Sequence, residues 1–512
     1  MTTRPDIVLL VLDTQRADRL GAYGYARGTS PQFDALAADA TRFTRAYAAA
    51  QWTIPSHASM FTGVYPSVHN TVQSSAALPA ELPTLAERLS DAGYATAAFC
   101  NNPLVGVVNN GLRRGFQSFL NYSGLLTSHP NQAGRRRGAV GIYRQWFKRR
   151  LAGIMQRAQD SFARSEALLA FAFTPFMVPI WQTALSFKGN SARSLGDTAK
   201  LLIDRRGIDA DQPVFAFINL MGVHTPYHPT RTAAEQFAPQ LLRDREAQRY
   251  LQRFNGDIFG WLAPFTDMDA AHQQTLSDVY DAEVAGQDAL VGAFIEQLRS
   301  AGRLDNTLLV VCADHGEHLG EKGMVGHTIS AYNQLVQVPM LVRDPTGDFV
   351  RGTTRDDVIS TRRMFHTLLS IAGAAEAREE QLSLARDPQA DPEHGVAISE
   401  AIPLENVVGL MLRRQPEVTR ARRYDQVRRA VVDARHKLIR TGEDGIELYD
   451  ALADPGEEQN LSEILPERVE VLQEHLDTIL RRSSGDAARA GRAEGGDDPL
   501  VQRRLKDLGY LE

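Results

Sequence analysis

Short, predominantly apolar runs recur along the chain, and each is about as long as a single strand. Four of them lie at 7–12, 94–100, 214–220 and 307–313. Runs of this kind are typical of parallel strands that are covered on both faces. Segments with helical spacing stand between them, at 29–40, 82–92 and 280–301. This alternation predicts a doubly wound α/β domain whose sheet is flanked by helices.

Polar residues follow three of these runs near their carboxyl ends. Asp13 comes directly after the first run, His224 shortly after the third, and Asp314 with His315 directly after the fourth. Open α/β sheets bind their ligands at this edge, so we expect these side chains to converge. By contrast, the acidic residues of 280–301 (Asp281, Glu283 and Asp288) are expected to be solvent-facing or structural.

The stretch from Gln51 to Gly63 contains a candidate nucleophile. If Thr53 enters a helix that begins near Pro55, its hydroxyl lies at the positive end of the helix dipole, beside N–H groups that suit an anionic ester. An ordinary helix start with a Thr or Ser cap is the alternative for this stretch taken alone.

The pattern changes after residue 375. Residues 376–394 are polar and predict a surface loop, and three short antiparallel strands are predicted at 428–433, 437–440 and 447–450. The sequence therefore predicts a catalytic domain at 1–375 and a smaller α+β unit at 376–482. Residues 483–512 are predicted to be a flexible linker with a terminal helix.

Composition narrows the class of protein. The 512 residues are 43% hydrophobic and carry a net charge of −6, which gives no basic surface for nucleic acid. The two cysteines, Cys100 and Cys312, lie in apolar runs and are expected to be reduced. The N-terminus passes directly into the first strand without a cleavage region, which predicts a cytoplasmic protein.

An insertion at about 123–200 breaks the α/β rhythm. A basic segment at 135–151 precedes residues 167–187, which contain no charged side chain. Pro175 and Pro179 interrupt this apolar stretch. A buried or lid-forming helical hairpin, an element touching the membrane surface, and a membrane span are the three alternatives, in that order. Peripheral membrane contact through 135–187 would suit an amphiphilic or lipid-linked substrate.

The candidate site residues together predict metal chemistry. Asp13, Asp314, His315 and a deprotonated Thr53 can hold a divalent cation, which would lower the pKa of the threonine hydroxyl and polarise a phosphoryl or sulfuryl oxygen. Manganese, magnesium or zinc suits this mixed set better than calcium, and one or two ions are possible. The remaining candidates would bind the ester anion or protonate the leaving group; they are His57, His224 and His327.

Several stretches resemble the sulfatase family of the alkaline phosphatase superfamily, in the family's order. These motifs are Asp13-Thr-Gln-Arg-Ala-Asp-Arg-Leu-Gly21, Thr53-Ile-Pro-Ser56 with Thr62-Gly63, Gly111–Phe116, His224-Thr-Pro226, Asp314-His-Gly-Glu317 with Gly326-His327, Lys437–Ile439, Glu447–Asp450 and Asn460-Leu461. The resemblance implies a large α/β domain around a mixed sheet and a small C-terminal domain with a four-stranded sheet.

The departures from the family pattern concern the reaction centre. Sulfatases carry a Cys or Ser, oxidised to formylglycine, where this chain has Thr53. His57 and His327 stand where the family has an Arg and a Lys. Thr14 stands in place of an Asp, and His315 stands in place of an Asn. Asn101 and Asn102 stand in place of a Lys and a His. These substitutions resemble the threonine-nucleophile branches of the superfamily: phosphoethanolamine transferases, lipoteichoic acid synthases and phosphodiesterases.

The sequence therefore predicts a sulfatase-like, metal-dependent hydrolase of phosphate or sulfate esters. A phosphotransferase or phosphodiesterase acting on a lipid-linked or amphiphilic substrate is the first alternative. A catalytically silent, sulfatase-like binding protein is the second, and a membrane-associated scaffold built on 135–187 is the third.

Overall fold

The computed structural model describes residues 4–106, 108–122, 188–205, 207–256, 268–485 and 491–492. The strands within these ranges are β1 Asp6–Leu12, β2 Thr41–Tyr47, β3 Ala76–Ala77, β4 Ala95–Cys100, β5 Ser118–Asn121, β6 Val214–Leu220, β7 Thr307–Cys312, β8 His318–Leu319, β9 Val325–Gly326, β10 Gln337–Arg343, β11 Thr354–Arg355, β12 Ile359–Ser360, β13 Ala397–Ala401, β14 Arg428–Val432, β15 His436–Thr441, β16 Gly445–Asp450 and β17 Gly491–Arg492.

A large mixed sheet organises the molecule. Its order is β11-β2-β10-β7-β1-β6-β4-β5, with β12 also pairing with β2. The strand β1 lies at its centre, parallel to both β6 and β7, whereas β10 runs antiparallel to β7 and β2. The four strands predicted from apolar runs are all present, and β1, β6 and β7 bring their carboxyl ends to one edge.

Helices cover both faces of this sheet. The α-helices of the described residues are Pro31–Ala37, Thr53–Thr62, Pro66–His69, Leu85–Asp91, Pro103–Gly106, Ser191–Asp204, Arg231–Phe237, Gln240–Arg243, Arg245–Gly256, Ala270–Ser300, Asn333–Val336, Met364–Ile371, Ala377–Glu380, Glu405–Arg414, Pro416–Ala421 and Pro466–Gly485. The core divides accordingly, because alternate residues of β1 pack on opposite sides: Val8, Leu10 and Leu12 on one, and Ile7, Leu9 and Val11 on the other.

Local signals explain several helix limits. Thr84 and Glu87 form a capping box that starts the helix Leu85–Asp91, three residues later than its apolar spacing predicts. The helix Ala270–Ser300 begins ten residues earlier than predicted, where the side chain of Asp269 caps it. Its end, just before Gly302, agrees with the prediction.

A second, four-stranded antiparallel sheet has the order β13-β14-β15-β16. Three of its strands match the predicted ones, and β13 comes as the fourth strand that the family resemblance implies. The two sheets are joined by hydrogen bonds between main chains near Ala50 and Glu400 and by the Ser399 hydroxyl, which donates to Ala48 O. The fold is thus a large α/β unit with a smaller α+β unit, while the boundaries near 375 and 482 stay predictions.

The predicted apolar hairpin at 167–187 and its basic flank lie outside the described residues, as does most of 483–512. Among the residues that the structure describes, no helix combines the length and the apolar character that crossing a bilayer requires. Cys100 and Cys312 are buried, free thiols, in agreement with the prediction.

Candidate active site

The carboxyl edge of the central strands gathers the predicted polar residues. Asp13 follows β1 and Asp314 follows β7, and the two strands are adjacent and parallel, with Val11 beside Cys312. Both carboxylates are fully buried. The structure thus brings the ends of β1 and β7 to one point, as the strand pattern predicts.

Asp13, Asp314 and His315 form a candidate metal centre. Each offers one ligand atom, and these atoms all lie within 4.8 Å of one another. His315 Nε2 lies 3.4 Å from Asp314 Oδ2 and 3.9 Å from Asp13 Oδ1. Because the Nδ1–H of His315 donates to Gly316 O at 3.0 Å, the ring presents the lone pair of Nε2 as its ligand.

The donor set fits a divalent cation. Within the described residues, Asp13 Oδ1 and Asp314 Oδ2 are buried without a hydrogen-bond partner. Burial and the neighbouring charge of Asp13 raise the pKa of Asp314 well above its ordinary value, which is the response of two carboxylates that share a site with no positive charge. Burial and the nearby His327 hold the pKa of His315 well below its ordinary value, so this ring is neutral, as a metal ligand must be.

Two carboxamides orient Asp13. Asn102 Nδ2 donates to Asp13 Oδ2 at 2.7 Å, and Asn219 Nδ2 donates to the same oxygen at 3.3 Å. This leaves the other oxygen, Oδ1, facing His315. In the sequence, Asn102 stood out only as a departure from the family pattern, and Asn219 was missed, although a polar residue next to the end of an otherwise apolar strand was a usable signal.

Thr53 is the first residue of a buried helix, Thr53–Thr62, that ends at Gly63. Its Oγ1 lies 3.4 Å from His315 Nε2 and 3.5 Å from Asn102 Nδ2. The hydroxyl of Ser56 donates to Asp314 O at 2.7 Å, which fixes the helix against the end of β7. The predicted start near Pro55 is two residues late, and the predicted nucleophile lies at the candidate metal centre.

Gly63 allows this helix to end where it does. Its φ is +74°, a conformation that costs a residue with a Cβ atom about 1–2 kcal/mol. A Cβ at this position would also lie 2.7 Å from His366 Nε2 and 2.8 Å from the ring of Phe365. A glycine is therefore required both by the backbone and by the packing.

His57 lies one helical turn after Thr53 in the same helix. Its Nδ1–H donates to Thr53 O at 2.9 Å, and its Nε2 lies 3.4 Å from Asn219 Nδ2. The ring packs edge-on against Phe61 and Phe217, and burial lowers its pKa. Both ring nitrogens thus have partners inside the protein, and contact of His57 with the ester anion stays a prediction.

His224 and His327 lie beside the metal centre. The ring centroid of His327 is 4.6 Å from that of His315 and 5.0 Å from that of His224. The Nδ1 of His327 pairs with Glu317 Oε1 at 2.8 Å, and the Nδ1 of His224 lies 2.5 Å from Thr225 O. Burial lowers the pKa of His224. Glu317, which the sequence singled out only as part of a family motif, is fully buried.

A largely buried ion pair supports the loop that carries His224. Lys188 Nζ donates to Glu283 Oε1 at 2.7 Å and to Gly222 O at 2.8 Å. The same carboxylate oxygen accepts from the backbone N–H of His228. The expectation that Glu283 is structural agrees with these contacts, but the alternative that it is solvent-facing does not, because only 8% of it is exposed. Lys188 gave no signal in the sequence.

Comparison with known proteins identifies the family to which the chain belongs. The model of the sulfatase family matches residues 5–374. The chain belongs to the sulfatase family, and with it to the hydrolases of sulfuric and phosphoric esters.

Curated relatives and solved structures agree with this membership. The chain is 23% identical to an ulvan-active sulfatase of Formosa agariphila over 495 residues, which cover 94% of this chain and 81% of the relative. It is 28% identical to the steryl-sulfatase of Mus musculus over 72% of this chain and 62% of the relative. A phosphonate monoester hydrolase of Agrobacterium radiobacter shares the fold, with a TM-score of 0.65, 20% identity and coverage of 94% and 96%.

Proposed function

We propose that this chain is a divalent-metal-dependent hydrolase in which Thr53 attacks the phosphorus atom of a phosphoric ester. The observation that carries the proposal is the position of Thr53 Oγ1, which lies 3.4 Å from His315 Nε2 in the candidate metal centre. A hydroxyl at this place has candidate metal ligands on one side and the N-terminus of its own helix on the other, where negative charge is stabilised.

Asp13, Asp314 and His315 would hold the cation. When bound there, a divalent cation supplies two forms of assistance: it favours the deprotonated hydroxyl of Thr53 and polarises a non-bridging oxygen of the ester. The identity of the metal stays open between manganese, magnesium, zinc and calcium. The protein contributes the orientation of each donor through Gly316 O for His315 and through Asn102 and Asn219 for Asp13.

The proposed reaction has two displacements. In the first, Thr53 Oγ1 attacks phosphorus, the bond from phosphorus to the alcohol oxygen breaks, and the alcohol leaves with the proton that the hydroxyl gives up. In the second, water attacks the phosphorus of the phospho-Thr53 ester, the P–Oγ1 bond breaks, and Thr53 regains its proton. Ester and water become alcohol and a phosphoric acid, and no other reactant is needed.

The nucleophile favours phosphorus over sulfur. A sulfate ester of threonine is hard to hydrolyse at sulfur, and Thr53 has a single hydroxyl, so it lacks the second oxygen with which an aldehyde hydrate expels sulfate. Phosphorus in a threonine ester is open to in-line attack by water or by an acceptor alcohol. The residue type at 53 therefore points to phosphoric esters within a family named for sulfuric ones.

The remaining candidates take distinct roles in this proposal. We assign His224 and His327 to the ester anion or the leaving group, because His327 lies beside the ring of His315 and His224 lies beside the ring of His327. The Glu317 carboxylate orients His327 through its Nδ1. His57 positions the carbonyl of Thr53 and the carboxamide of Asn219, and Asn102 stabilises negative charge on Thr53 Oγ1.

A sulfate ester hydrolase is the second candidate function, and family membership favours it. One solved structure of the same fold contains D-glucosamine-2-N,6-O-disulfate as substrate, at a TM-score of 0.63 and 17% identity. Sulfated carbohydrates are accordingly the sulfuric esters to test first. The predicted transfer to or from a lipid-linked substrate depends on 135–187, which lies outside the described residues.

Turnover of matched aryl esters tests the proposal. The full chain, loaded in turn with each of the four metals, is assayed with aryl phosphate monoesters, phosphodiesters and sulfates. We expect metal-dependent turnover of a phosphorus ester that Thr53→Val lowers by about 10³-fold or more. Thr62→Val is the matched control in the same helix, because the Thr62 hydroxyl bonds only Ala58 O among the described contacts. Turnover of sulfates alone, or turnover retained in Thr53→Val, would overturn the proposal.

A further inference from the structure

The segment that follows β9 runs from His327 to Asn333, where the short helix Asn333–Val336 begins. In this 327–333 loop the ring of His327 is fixed by Glu317, whose Oε1 lies 2.8 Å from Nδ1 of the imidazole. A contact at the ring does not set the path of the main chain that carries it. The main chain of the loop is bonded instead by side chains of the smaller α+β unit.

Arg428 bonds the main chain of this loop close to the imidazole. Its Nη1 donates to Ile329 O at 3.0 Å, two residues after His327, and its Nη2 donates to Arg422 O at 2.8 Å. The guanidinium lies over the ring of Tyr424, with 5.6 Å between Cζ and the ring centroid. Arg428 is the first residue of β14 and is buried. A planar donor with a fixed geometry therefore ties the loop to the four-stranded sheet.

A buried ion pair of the smaller unit holds the far end of the loop. Lys437 Nζ lies 2.6 Å from Glu457 Oε1, and both side chains are fully buried. Lys437 Nζ also donates to Asn333 Oδ1 at 2.8 Å, and the N–H of Asn333 donates to Glu457 Oε2 at 2.7 Å. In addition, Asn333 Nδ2 donates to Pro455 O at 3.1 Å. The last residue of the loop thus bonds three groups of the smaller unit.

Attachment of the smaller unit alone does not explain these contacts. Buried ion pairs often stabilise a fold no better than apolar side chains of similar volume, whereas charge-assisted hydrogen bonds have a defined direction. The charged groups of Arg428, Lys437 and Glu457 all direct bonds at the loop of a candidate catalytic residue. Lys437 also begins a stretch that resembles the sulfatase family, and the proposed reaction gives that stretch no role.

We infer that Arg428 and the Lys437–Glu457 pair are positioning residues, through which the four-stranded sheet holds His327 in place for the reaction. This inference rests on the proposed function, because it requires His327 to act on the ester anion or the leaving group. The effect of these side chains on the reaction passes through the 327–333 loop. Without their bonds the loop gains freedom at Ile329 and Asn333, and the imidazole spends less time where the reaction needs it.

A double-mutant cycle with His327 tests this role. The metal-loaded full chain is assayed with the aryl phosphate mono- or diester that it turns over fastest, and rates are divided by the bound metal so that misfolded protein does not count. Arg428→Met should lower kcat/KM about 10-fold, and so should Lys437→Met/Glu457→Gln, which removes both charges together. In a His327→Gln background, which has no imidazole left to position at residue 327, each should change kcat/KM by less than about twofold.

Asp477→Asn is the matched control. It breaks a 2.8 Å pair with Arg440, which joins the strand of Lys437 to the helix Pro466–Gly485 and not to the 327–333 loop. The control should leave kcat/KM within about twofold of its parent in both backgrounds.

The possible outcomes separate this inference from the proposed function. Equal losses from the test variants in both backgrounds, no loss with His327 present, or an unchanged kcat/KM in His327→Gln would each overturn the inference and leave the proposed function standing. Absence of Thr53-dependent turnover for every phosphorus ester would overturn both.

Discussion

His315 Nε2 lies 3.4 Å from Thr53 Oγ1, although the two residues are 262 positions apart in the chain. The contact joins the start of the helix Thr53–Thr62 to the loop that follows β7. Since the Nδ1–H of His315 is committed to Gly316 O, the lone pair of Nε2 and the threonine oxygen face the same small volume. One cation could therefore touch both the imidazole and the nucleophile.

Removal of a carboxylate should remove the metal. Asp314→Asn takes away one of the three candidate ligands, and we expect the loss of bound divalent metal together with most of the activity, by about 100-fold or more. Elemental analysis by mass spectrometry of the purified protein measures the metal directly. Asp305→Asn, at a side chain that is 82% exposed, is the control and should retain as much bound metal as the wild type. Metal retained in Asp314→Asn would show that this centre has been misassigned.

The carboxamide of Asn102 should matter more than that of its neighbour. Asn102→Ala removes the donors to Asp13 Oδ2 and Thr53 Oγ1, and we expect kcat to fall by about 10- to 100-fold with a smaller change in KM. Asn101→Ala is the matched control, because Asn101 Nδ2 donates instead to Ser191 Oγ at 3.1 Å. Equal effects of the two variants on kcat would contradict the positioning role of Asn102.

The Lys188–Glu283 pair should hold the loop of His224 in place. Glu283→Gln leaves the buried ammonium of Lys188 without its counter-charge, and we expect about 3 kcal/mol of lost stability together with a lower kcat. The double variant Lys188→Met/Glu283→Leu should recover part of the stability but not the kcat, since Gly222 O and His228 N still lack their partners.

Chemical denaturation and steady-state kinetics measure the two effects. Glu235→Gln, which breaks the exposed pair with Arg231, should cost about 0–1 kcal/mol. If the double variant were fully active, the pair would have no part in placing His224.

Stability should fall in acid through His69. Burial lowers the pKa of this residue from 6.5 to about 3. In the neutral form, Nδ1 accepts from the N–H of Thr71 and Nε2 lies 3.0 Å from Ser59 Oγ. The unfolded chain therefore takes up a proton below about pH 6.5 that the folded chain refuses until about pH 3. Between these values the free energy of unfolding should decrease by about 1.4 kcal/mol per pH unit for this group.

Urea denaturation at about pH 7.5 and about pH 5 measures this slope. His69→Gln should be less stable at the higher pH but lose about 2 kcal/mol less than the wild type on acidification. His394→Asn, at an exposed position, should leave the slope unchanged. Identical slopes for His69→Gln and the wild type would show that His69 is protonated in the folded state as well.

Much of the fold could be predicted because the central strands are covered on both faces. The strand β6 was predicted with its observed limits, and β1 and β7 to within one residue. The strands on the far side of β7 were missed. The apolar strand β10 reads like a parallel strand but runs antiparallel, and β11 and β12 have two residues each. An apolar run does not indicate in which direction its strand runs. The prediction of a mixed sheet therefore rested only on the family resemblance.

The site could be predicted only where residues follow strands directly. Asp13, Asp314 and His315 come immediately after their strands, and sheet topology alone brings them together. Lys188 and Glu283 lie 95 residues apart, on a loop and on a long helix, and no local pattern links them. The i to i−4 bond of His57 to Thr53 O was not predicted, because it depends on a helix start that the sequence placed two residues too late.

The mass of the intact protein after reaction tests the central claim most directly. The metal-loaded chain is mixed with an activated aryl phosphodiester or phosphonate, quenched in acid within one turnover, and digested for peptide mapping. We predict the mass of one added phosphoryl or phosphonyl group on Thr53, which is absent from Thr53→Val and disappears on longer incubation. Turnover with no such adduct at any time, or an adduct on another residue, would contradict the assignment of Thr53 as the nucleophile.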